Sequence, residues 1–143
     1  MDFTKQRKMS YHESFEPYNP IHCPMADPYD KNLRSILIGE CGRLGFPFHR
    51  HGTVVTIEGP RFSTRAESCM FRALGADIIN MSISTETILA NEIGLPYAAV
   101  GMSTDYDCWR SDEEPVSWEA ILNVFQENAV RVTTLLKNVI PKI

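Results

Sequence analysis

The sequence predicts an α/β fold in which a central sheet, mostly parallel or mixed, is flanked by helices. Apolar or β-branched runs of strand length alternate with amphipathic helical stretches, and the links between them are short. Residues 97–102 are almost wholly apolar, as expected of a strand covered on both faces. Strands that alternate with helices pair in parallel through right-handed crossovers, which gives the layered arrangement.

The first 28 residues predict an irregular loop that docks on another surface, because they contain four prolines and show little periodicity. Asp27 suits the N-cap of the helix that follows and Pro28 suits its first position. Gly42 or Gly45 is expected to end that helix.

The remaining chain predicts three strands and three helices. The β-branched run at 53–57 favours a strand, and Ser63 or Thr64 is expected to cap a helix that runs to Gly75. The other expected elements are a strand at 77–81, a helix near 85–92, a strand at 97–102 and a long amphipathic helix at 118–139, with Ser117 as its start.

Length and charge exclude several classes of protein. The 143 residues suit one domain, and a net charge of −4 argues against a strongly basic nucleic-acid binder. No apolar run approaches the ~20 residues of a membrane helix, and the charged start leads into no signal-peptide core. A soluble intracellular domain spanning 1–143 is the expectation.

The four cysteines predict reduced thiols. Cys23, Cys41, Cys69 and Cys108 form no C-x-x-C pair and lack zinc-ligand spacing. Small buried thiols fit an intracellular chain, whereas disulfides in a secreted form are the alternative.

Polar loops follow three predicted strands, at 58–63, 81–86 and 103–107. Ligands of open α/β sheets lie outside the carboxyl ends of the strands. The three loops therefore predict a small-molecule site.

Sequence motifs in these loops carry a family resemblance. Residues 59–68 (GPRFSTRAES), 75–82 (GADIINMS) and 102–109 (MSTDYDCW) resemble the 5′-methylthioadenosine phosphorylases of the trimeric purine nucleoside phosphorylase family. The resemblance extends from about His22 to the end of the chain. It implies a pentosyltransferase of the nucleoside-phosphorylase fold, which converts 5′-methylthioadenosine and phosphate to adenine and 5-methylthioribose 1-phosphate in purine and methionine salvage.

The resemblance also implies a setting for the protein. Phosphate is a co-substrate, and no metal or organic cofactor is expected. The expected partners are the nucleoside, phosphate and two further subunits of a homotrimer, with no nucleic acid or membrane. The cytoplasm is the expected compartment, with the nucleus in addition.

Asp105 and Asp107 are the expected catalytic residues. A carboxyl group near adenine accepts from the exocyclic amine and, when protonated, donates to N7, which withdraws charge from the leaving group. Relatives acting on 6-oxopurines typically carry Asn at the first position, so Asp105 favours adenine. The structural alternative is that both acids are solvated turn residues.

Further roles follow from the resemblance. Phe62 is expected on the purine face or in the core, and Met81 against the sugar or as core filler. The Ser82 hydroxyl is expected on phosphate, at a position where many relatives carry Thr. Ser63 is either near the site or simply a helix cap.

Four other residues complete the expected substrate site. Trp118, Ile121 and Leu122 line an apolar pocket for the 5′ substituent, which suits a methylthio group. His22 is expected to reach into a neighbouring subunit's site, with surface exposure as the alternative.

The sequence also departs from the family pattern. Ser84-Thr85-Glu86 stands where relatives commonly carry Val-Pro-Glu. The Gly-rich turn, the Arg-His phosphate pair and the Thr-Ala segment of the family's amino-terminal half are absent. The chain is therefore interpreted as a carboxyl-terminal half that is weakly active or inactive alone. The alternatives are a phosphorylase of broader or 6-oxopurine specificity and a non-catalytic fragment or isoform.

Overall fold

A three-stranded parallel sheet forms the centre of the fold in a computed structural model, which describes residues 1–12, 22–110 and 118–143, with the side chains of Trp118 and Ala120 left out. The strands lie in the order β1-β2-β3, and both pairs are parallel. In chain order the elements are β1 (Asp2–Phe3), α1 (Lys31–Arg43), β2 (Val54–Ile57), α2 (Arg65–Ala73), β3 (Ile78–Asn80), α3 (Ile83–Glu92), α4 (Trp118–Val139) and a 3₁₀ turn at Ile140–Lys142. The predicted α/β class with a parallel sheet is confirmed.

One row of the sheet matters for the site. Asp2 pairs with Thr56 in register, and Thr56 pairs with Asn80. These three polar residues lie at or near the carboxyl ends of their strands, so the segments that follow all leave from the same edge of the sheet.

Capping residues set the helix boundaries. Asp30, rather than the predicted Asp27, caps α1, because its carboxylate accepts from Leu33 N at 2.7 Å. Asp27 instead lies 3.6 Å from the ammonium of Lys31 on the surface. The helix ends before Gly45, which has a φ of +68°. Of the two predicted end points, Gly45 is the one that takes the left-handed conformation.

Helices α2, α3 and α4 lie close to their predicted positions. Thr64 caps α2 in a capping box with Glu67, so the Thr64 alternative is confirmed. Gly75 follows that helix with a φ of +83°. Helix α3 begins two residues earlier than predicted and precedes Gly94, and α4 covers the predicted 118–139. Residue 117, the predicted start of the last helix, lies outside the described residues.

Two predictions about strands are wrong. The first 28 residues are not uniformly irregular, because Asp2 and Phe3 form β1; two residues are too few for periodicity to reveal, and β2 supplies the pairing. Residues 97–102 form no strand. None of these residues is buried and Val100 is 40% exposed, so the run is not covered on both faces as predicted. Gly101 packs against Ile78, where an added Cβ would lie 3.0 Å from the side chain, and the Tyr97 carbonyl accepts from Asp30 N at 2.8 Å.

The buried apolar residues come from the sheet and three helices. Val55 lies in β2, Phe71 in α2 and Ala90 in α3, and α4 contributes Leu135 and Val139. Glu40 of α1 is also buried, 5% exposed, and it pairs with Arg43 at 2.8 Å and with Lys142. A buried carboxylate is tolerated there because two cations face it.

Three features of residues 1–12, 22–110 and 118–143 bear on the class of protein. No described helix is long and apolar enough to cross a membrane. No described group of three or more His, Cys, Asp or Glu side chains is arranged to hold a metal ion. The four cysteines are free thiols, of which Cys23, Cys41 and Cys108 are half-buried, whereas Cys69 is exposed and so is not the buried thiol expected from the sequence.

Candidate functional site

The structure brings the three predicted loops into contact. Gly59 of the first loop approaches Met81 of the second, because a Cβ on this glycine would lie 2.6 Å from Met81 Sδ. Cys108 Sγ donates to the Ser63 carbonyl at 3.3 Å, which joins the third loop to the first. Arg65, in the first turn of α2, adds a second link by donating to the Arg110 carbonyl at 3.2 Å.

The two predicted catalytic acids differ in environment. Asp105 is exposed, and its carboxylate accepts from the Thr104 hydroxyl at 2.6 Å. Asp107 is partly buried, and its Oδ2 is shielded from solvent without a hydrogen-bond partner among the described residues. Asp107 is therefore not a fully solvated turn residue, whereas the exposure of Asp105 leaves that alternative open.

Ser63 has the same character as Asp107. Its hydroxyl is buried and lacks a described partner. Thr64 performs the capping of α2, so the interpretation of Ser63 as the cap is wrong. The other buried orphan side-chain atoms in the described residues are Ser68 Oγ, Asn80 Nδ2 and Thr85 Oγ1. Buried polar atoms of proteins rarely lack partners, so two of them at predicted site residues favour a polar ligand there.

The Cys108 thiol supports the junction between the loops. Burial, and then the neighbouring Asp107 carboxylate, raise the pKa of this thiol. The thiol consequently stays protonated near neutral pH and keeps its donor for the Ser63 carbonyl.

Phe62 and Met81, the residues predicted to contact the base and the sugar, differ in exposure. The Phe62 side chain is 67% exposed, so this ring is not part of the core. Met81 is partly buried against Gly59. Neither position tests the predicted contact, and both roles stay predictions.

Ser82 precedes α3 but does not cap it. Its side chain makes no capping hydrogen bond. Asn80 Oδ1 accepts instead, from Ser82 N at 2.9 Å and from Ile83 N at 3.0 Å. The Ser82 hydroxyl, on an exposed residue, therefore does not cap α3, and its predicted contact with phosphate stays a prediction.

A polar network at the sheet edge holds that terminus. The Thr56 hydroxyl donates to Asn80 Oδ1 at 3.1 Å and accepts from Ser84 N at 3.0 Å. The Ser84 hydroxyl then donates to Asp2 Oδ1 at 3.2 Å. Ser84 is one of the residues that departs from the family pattern, and here it ties α3 to β1.

The remaining predicted site residues lie in α4 and at His22. Ile121 and Leu122 lie in the first turns of α4, with Leu122 exposed, and nothing is described of the Trp118 side chain. Asn128, further along α4, donates to the Ser103 carbonyl at 3.1 Å and so anchors this helix beside the third loop. His22 is exposed, which agrees with the alternative that it is a surface residue. Its contact with a neighbouring subunit's site stays a prediction.

A separate cleft of about 440 Å³ lies between residues 27–31 and residues 91–97. It contains none of the predicted site residues. Tyr29 and Tyr97 stack beside it at 6.2 Å between ring centroids, and the Tyr97 hydroxyl donates to Glu86.

Arg7 and Glu58 are the residues that sequence reasoning missed. The Arg7 guanidinium donates to the carbonyls of Met81 and Glu58, and also to the Glu58 carboxylate. The backbone N–H of Lys5, then that of Gln6 and the Arg7 side chain, hold the pKa of Glu58 below its ordinary value. Arg7 lies in the segment interpreted as a docking loop, where no periodic pattern singles it out.

The fold is that of a parallel α/β protein in which polar loops from neighbouring strands meet at the carboxyl edge of the sheet. The model of the phosphorylase superfamily matches residues 1–141, so the chain belongs to this superfamily.

Relatives of known name narrow the class. S-methyl-5′-thioadenosine phosphorylases from Xenopus tropicalis and Pyrococcus abyssi are each 45% identical over the whole chain, which covers 52% and 53% of those proteins. The structure of methylthioadenosine phosphorylase from Schistosoma mansoni in complex with adenine superposes with a TM-score of 0.89 at 36% identity, over 99% of this chain and 56% of that one. A mutant of the same organism's adenosine/methylthioadenosine phosphorylase, in complex with methylthioadenosine, gives a TM-score of 0.85 at 34% identity, over 99% and 54%. The chain spans about half the length of the curated relatives it matches.

Proposed function

We propose that this chain is the carboxyl-terminal part of a 5′-methylthioadenosine phosphorylase, and that its three loops recognise the adenine base. The similarity to proteins of that name runs over the whole chain. The solved relatives were crystallised with adenine or methylthioadenosine. The reaction would transfer the methylthioribosyl group from adenine to phosphate.

The buried Asp107 Oδ2 carries this proposal. An unpartnered buried carboxylate oxygen is costly, and a ligand that donates a hydrogen bond relieves that cost. The adenine amine is such a donor, and the Ser63 hydroxyl, also buried and unpartnered, can both donate and accept. A 6-oxopurine offers an acceptor where adenine offers the amine, so a carboxyl oxygen that accepts a hydrogen bond at that point discriminates against it.

The chemistry follows from these positions. Phosphorolysis breaks the bond between C1′ of the sugar and N9 of the base, and a phosphate oxygen forms the new bond to C1′. The electron pair of the broken bond leaves with adenine, and a proton delivered to N7 neutralises it. Asp105 or Asp107 would deliver that proton, Phe62 would hold the base by its face, and Ser82 would orient phosphate.

The chain alone is proposed to be weakly active or inactive in phosphorolysis. It spans about half the length of its relatives, and the family's Gly-rich turn and Arg-His phosphate pair are not in its sequence. A homotrimer, with His22 reaching a neighbouring subunit, and a cytoplasmic location remain part of the same proposal.

Calorimetric titration of the purified chain with adenine, methylthioadenosine and hypoxanthine tests the proposal. Adenine binding with little binding of hypoxanthine is expected. Phosphorolysis at an ordinary rate would overturn the proposed impairment, and preference for hypoxanthine would favour the 6-oxopurine alternative. Absence of binding of every base and nucleoside, with and without phosphate, would favour the non-catalytic alternative.

Two variants sharpen the titration. Asp107→Asn should weaken adenine binding by at least about tenfold, because the amine loses a charged acceptor. Asp27→Asn is the matched control, since Asp27 is an exposed acid that pairs with Lys31 outside the loops, and it should leave the affinity unchanged. Equal affinities of the two variants would contradict the role of Asp107. Asp105→Asn should shift preference toward hypoxanthine.

A further inference from the structure

Arg7 joins the first two loops of the candidate site through their backbone. One guanidinium nitrogen donates to the Met81 carbonyl, and another donates to the Glu58 carbonyl at 2.6 Å. The third, Nε, faces Glu58 Oε1 at 3.3 Å. These bonds reach residues 51 and 74 positions away in the chain, so one side chain bridges the ends of β2 and β3.

The carbonyls that Arg7 holds are next to the functional positions. The Met81 carbonyl belongs to the same planar peptide unit as the Ser82 N–H, so a bond to one fixes the orientation of the other. The Glu58 carbonyl likewise belongs to the peptide unit that leads into Gly59, the residue that approaches Met81. Arg7 thus constrains the peptide plane that precedes Ser82 and the peptide plane at the start of the loop that carries Phe62.

The guanidinium is itself held in place. Glu58 accepts from Arg7 Nε with one carboxylate oxygen and from the backbone N–H groups of Lys5 and Gln6 with the other. The Arg7 side chain is 24% exposed and that of Glu58 32%. The planar, always charged guanidinium has donors in fixed positions, so it can bind two carbonyls at once. A lysine ammonium on its flexible stem does this less well.

We propose that Arg7 is a positioning residue of the substrate site, which clamps the 58–63 loop to Met81 and Ser82 and sets their separation for the nucleoside. The inference rests on the proposed function, since it takes these two loops as the ones that receive the substrate. Arg7 acts through Glu58 and Met81 and touches no substrate itself.

The test compares Arg7→Met with Arg43→Met. Both remove a guanidinium that pairs with a glutamate, but the described partners of Arg43 are Glu40 and Asn138, in α1 and α4. Adenine affinity is measured by calorimetry, well below the melting temperature of each variant. Arg7→Met should weaken binding by roughly tenfold to a hundredfold, as misplaced site groups do, and Arg43→Met by less than about twofold for a similar loss of Tm. Arg7→Lys should recover part of the affinity. Equal affinities of Arg7→Met and wild type would overturn the proposal.

Amide hydrogen exchange separates this proposal from the proposed function. Arg7→Met should speed exchange in segments 58–62 and 81–84, whereas Arg43→Met should leave both unchanged. If the wild type binds no adenine, the proposed function fails while the clamp is still tested by exchange. Unchanged exchange of segments 58–62 and 81–84 in Arg7→Met would refute the clamp. If Arg7→Met does not fold, Glu58→Gln, which keeps the backbone carbonyls, should show the same two effects at smaller size. No effect in that variant would count against the clamp.

Discussion

Replacing Gly59 with alanine should destabilise the chain for two reasons that a control can separate. Gly59 has a φ of +66°, and a left-handed conformation costs an L side chain about 1–2 kcal/mol. The new Cβ would also lie 2.6 Å from Met81 Sδ, roughly 1 Å inside an ordinary van der Waals contact. Gly45 has a φ of +68° with no heavy atom within 4 Å of an added Cβ. Gly45→Ala therefore shares the backbone cost, and the effect on the unfolded chain, without the clash.

We expect Gly59→Ala to lower the free energy of unfolding by about 1–3 kcal/mol more than Gly45→Ala, the range for overpacking. Urea denaturation of both variants measures the difference. Adding Met81→Ala should relieve the excess in the Gly59→Ala background, because the obstructing sulfur is gone, and a double-mutant cycle reports that coupling. Equal losses for the two glycine variants, or additive losses in the double variant, would refute the close approach between the first two loops.

Three further predictions concern charges and caps. Lys142 and then Arg43 hold the pKa of Glu40 below its ordinary value. The contribution of the Glu40 carboxylate to stability is therefore present above the unfolded-state pKa and is lost as pH falls through the lower folded-state pKa. Between pH ~6 and pH ~2, thermal unfolding should show the wild type losing more stability than Glu40→Gln, and parallel curves would count against this. Thr64→Ala should cost about 1 kcal/mol in urea denaturation and Thr64→Ser much less, whereas equal losses would mean that the hydroxyl does not cap α2. Asn80→Ala should cost at least about 1 kcal/mol, because Ser82 N and Ile83 N both lose their acceptor, and Asn80→Asp should retain most of it; a neutral Asn80→Ala would exclude the cap.

The helices were predictable because their ends carry local chemistry. Thr64 and Glu67 reveal a capping box within four residues, and Gly45 and Gly75 mark helix ends by positive φ. The start of α1 was misplaced because Asp27-Pro28 and Asp30 both satisfy the rules for a helix start. Only the acceptance of Leu33 N by Asp30 decides between them, and that contact is a property of the folded backbone.

Strand prediction failed where composition and backbone pairing diverge. The run at 97–102 is apolar, yet none of its residues is buried and Val100 is 40% exposed, so hydrophobicity here indicates neither burial nor ladder hydrogen bonds. Conversely, β1 pairs through two residues whose composition gives no strand signal. The contacts of Arg7 could not be predicted for a related reason. Its partners include backbone carbonyls, and because every residue has a carbonyl, the sequence does not indicate which ones it binds.

The loops that would bind adenine are tied to one another within residues 7–110, through Arg7, Gly59 against Met81, and Cys108 against Ser63. By the family resemblance, the phosphate-binding Gly-rich turn and Arg-His pair belong to the family's amino-terminal half and not to these loops. On the proposed function, the coupling between adenine and phosphate binding to this chain is therefore informative. Adenine affinity that is indifferent to phosphate would mean that base recognition is complete in these loops. Affinity that rises with phosphate would mean, by reciprocity of linked binding, that adenine in turn strengthens phosphate binding, so that this chain holds the anion without that pair.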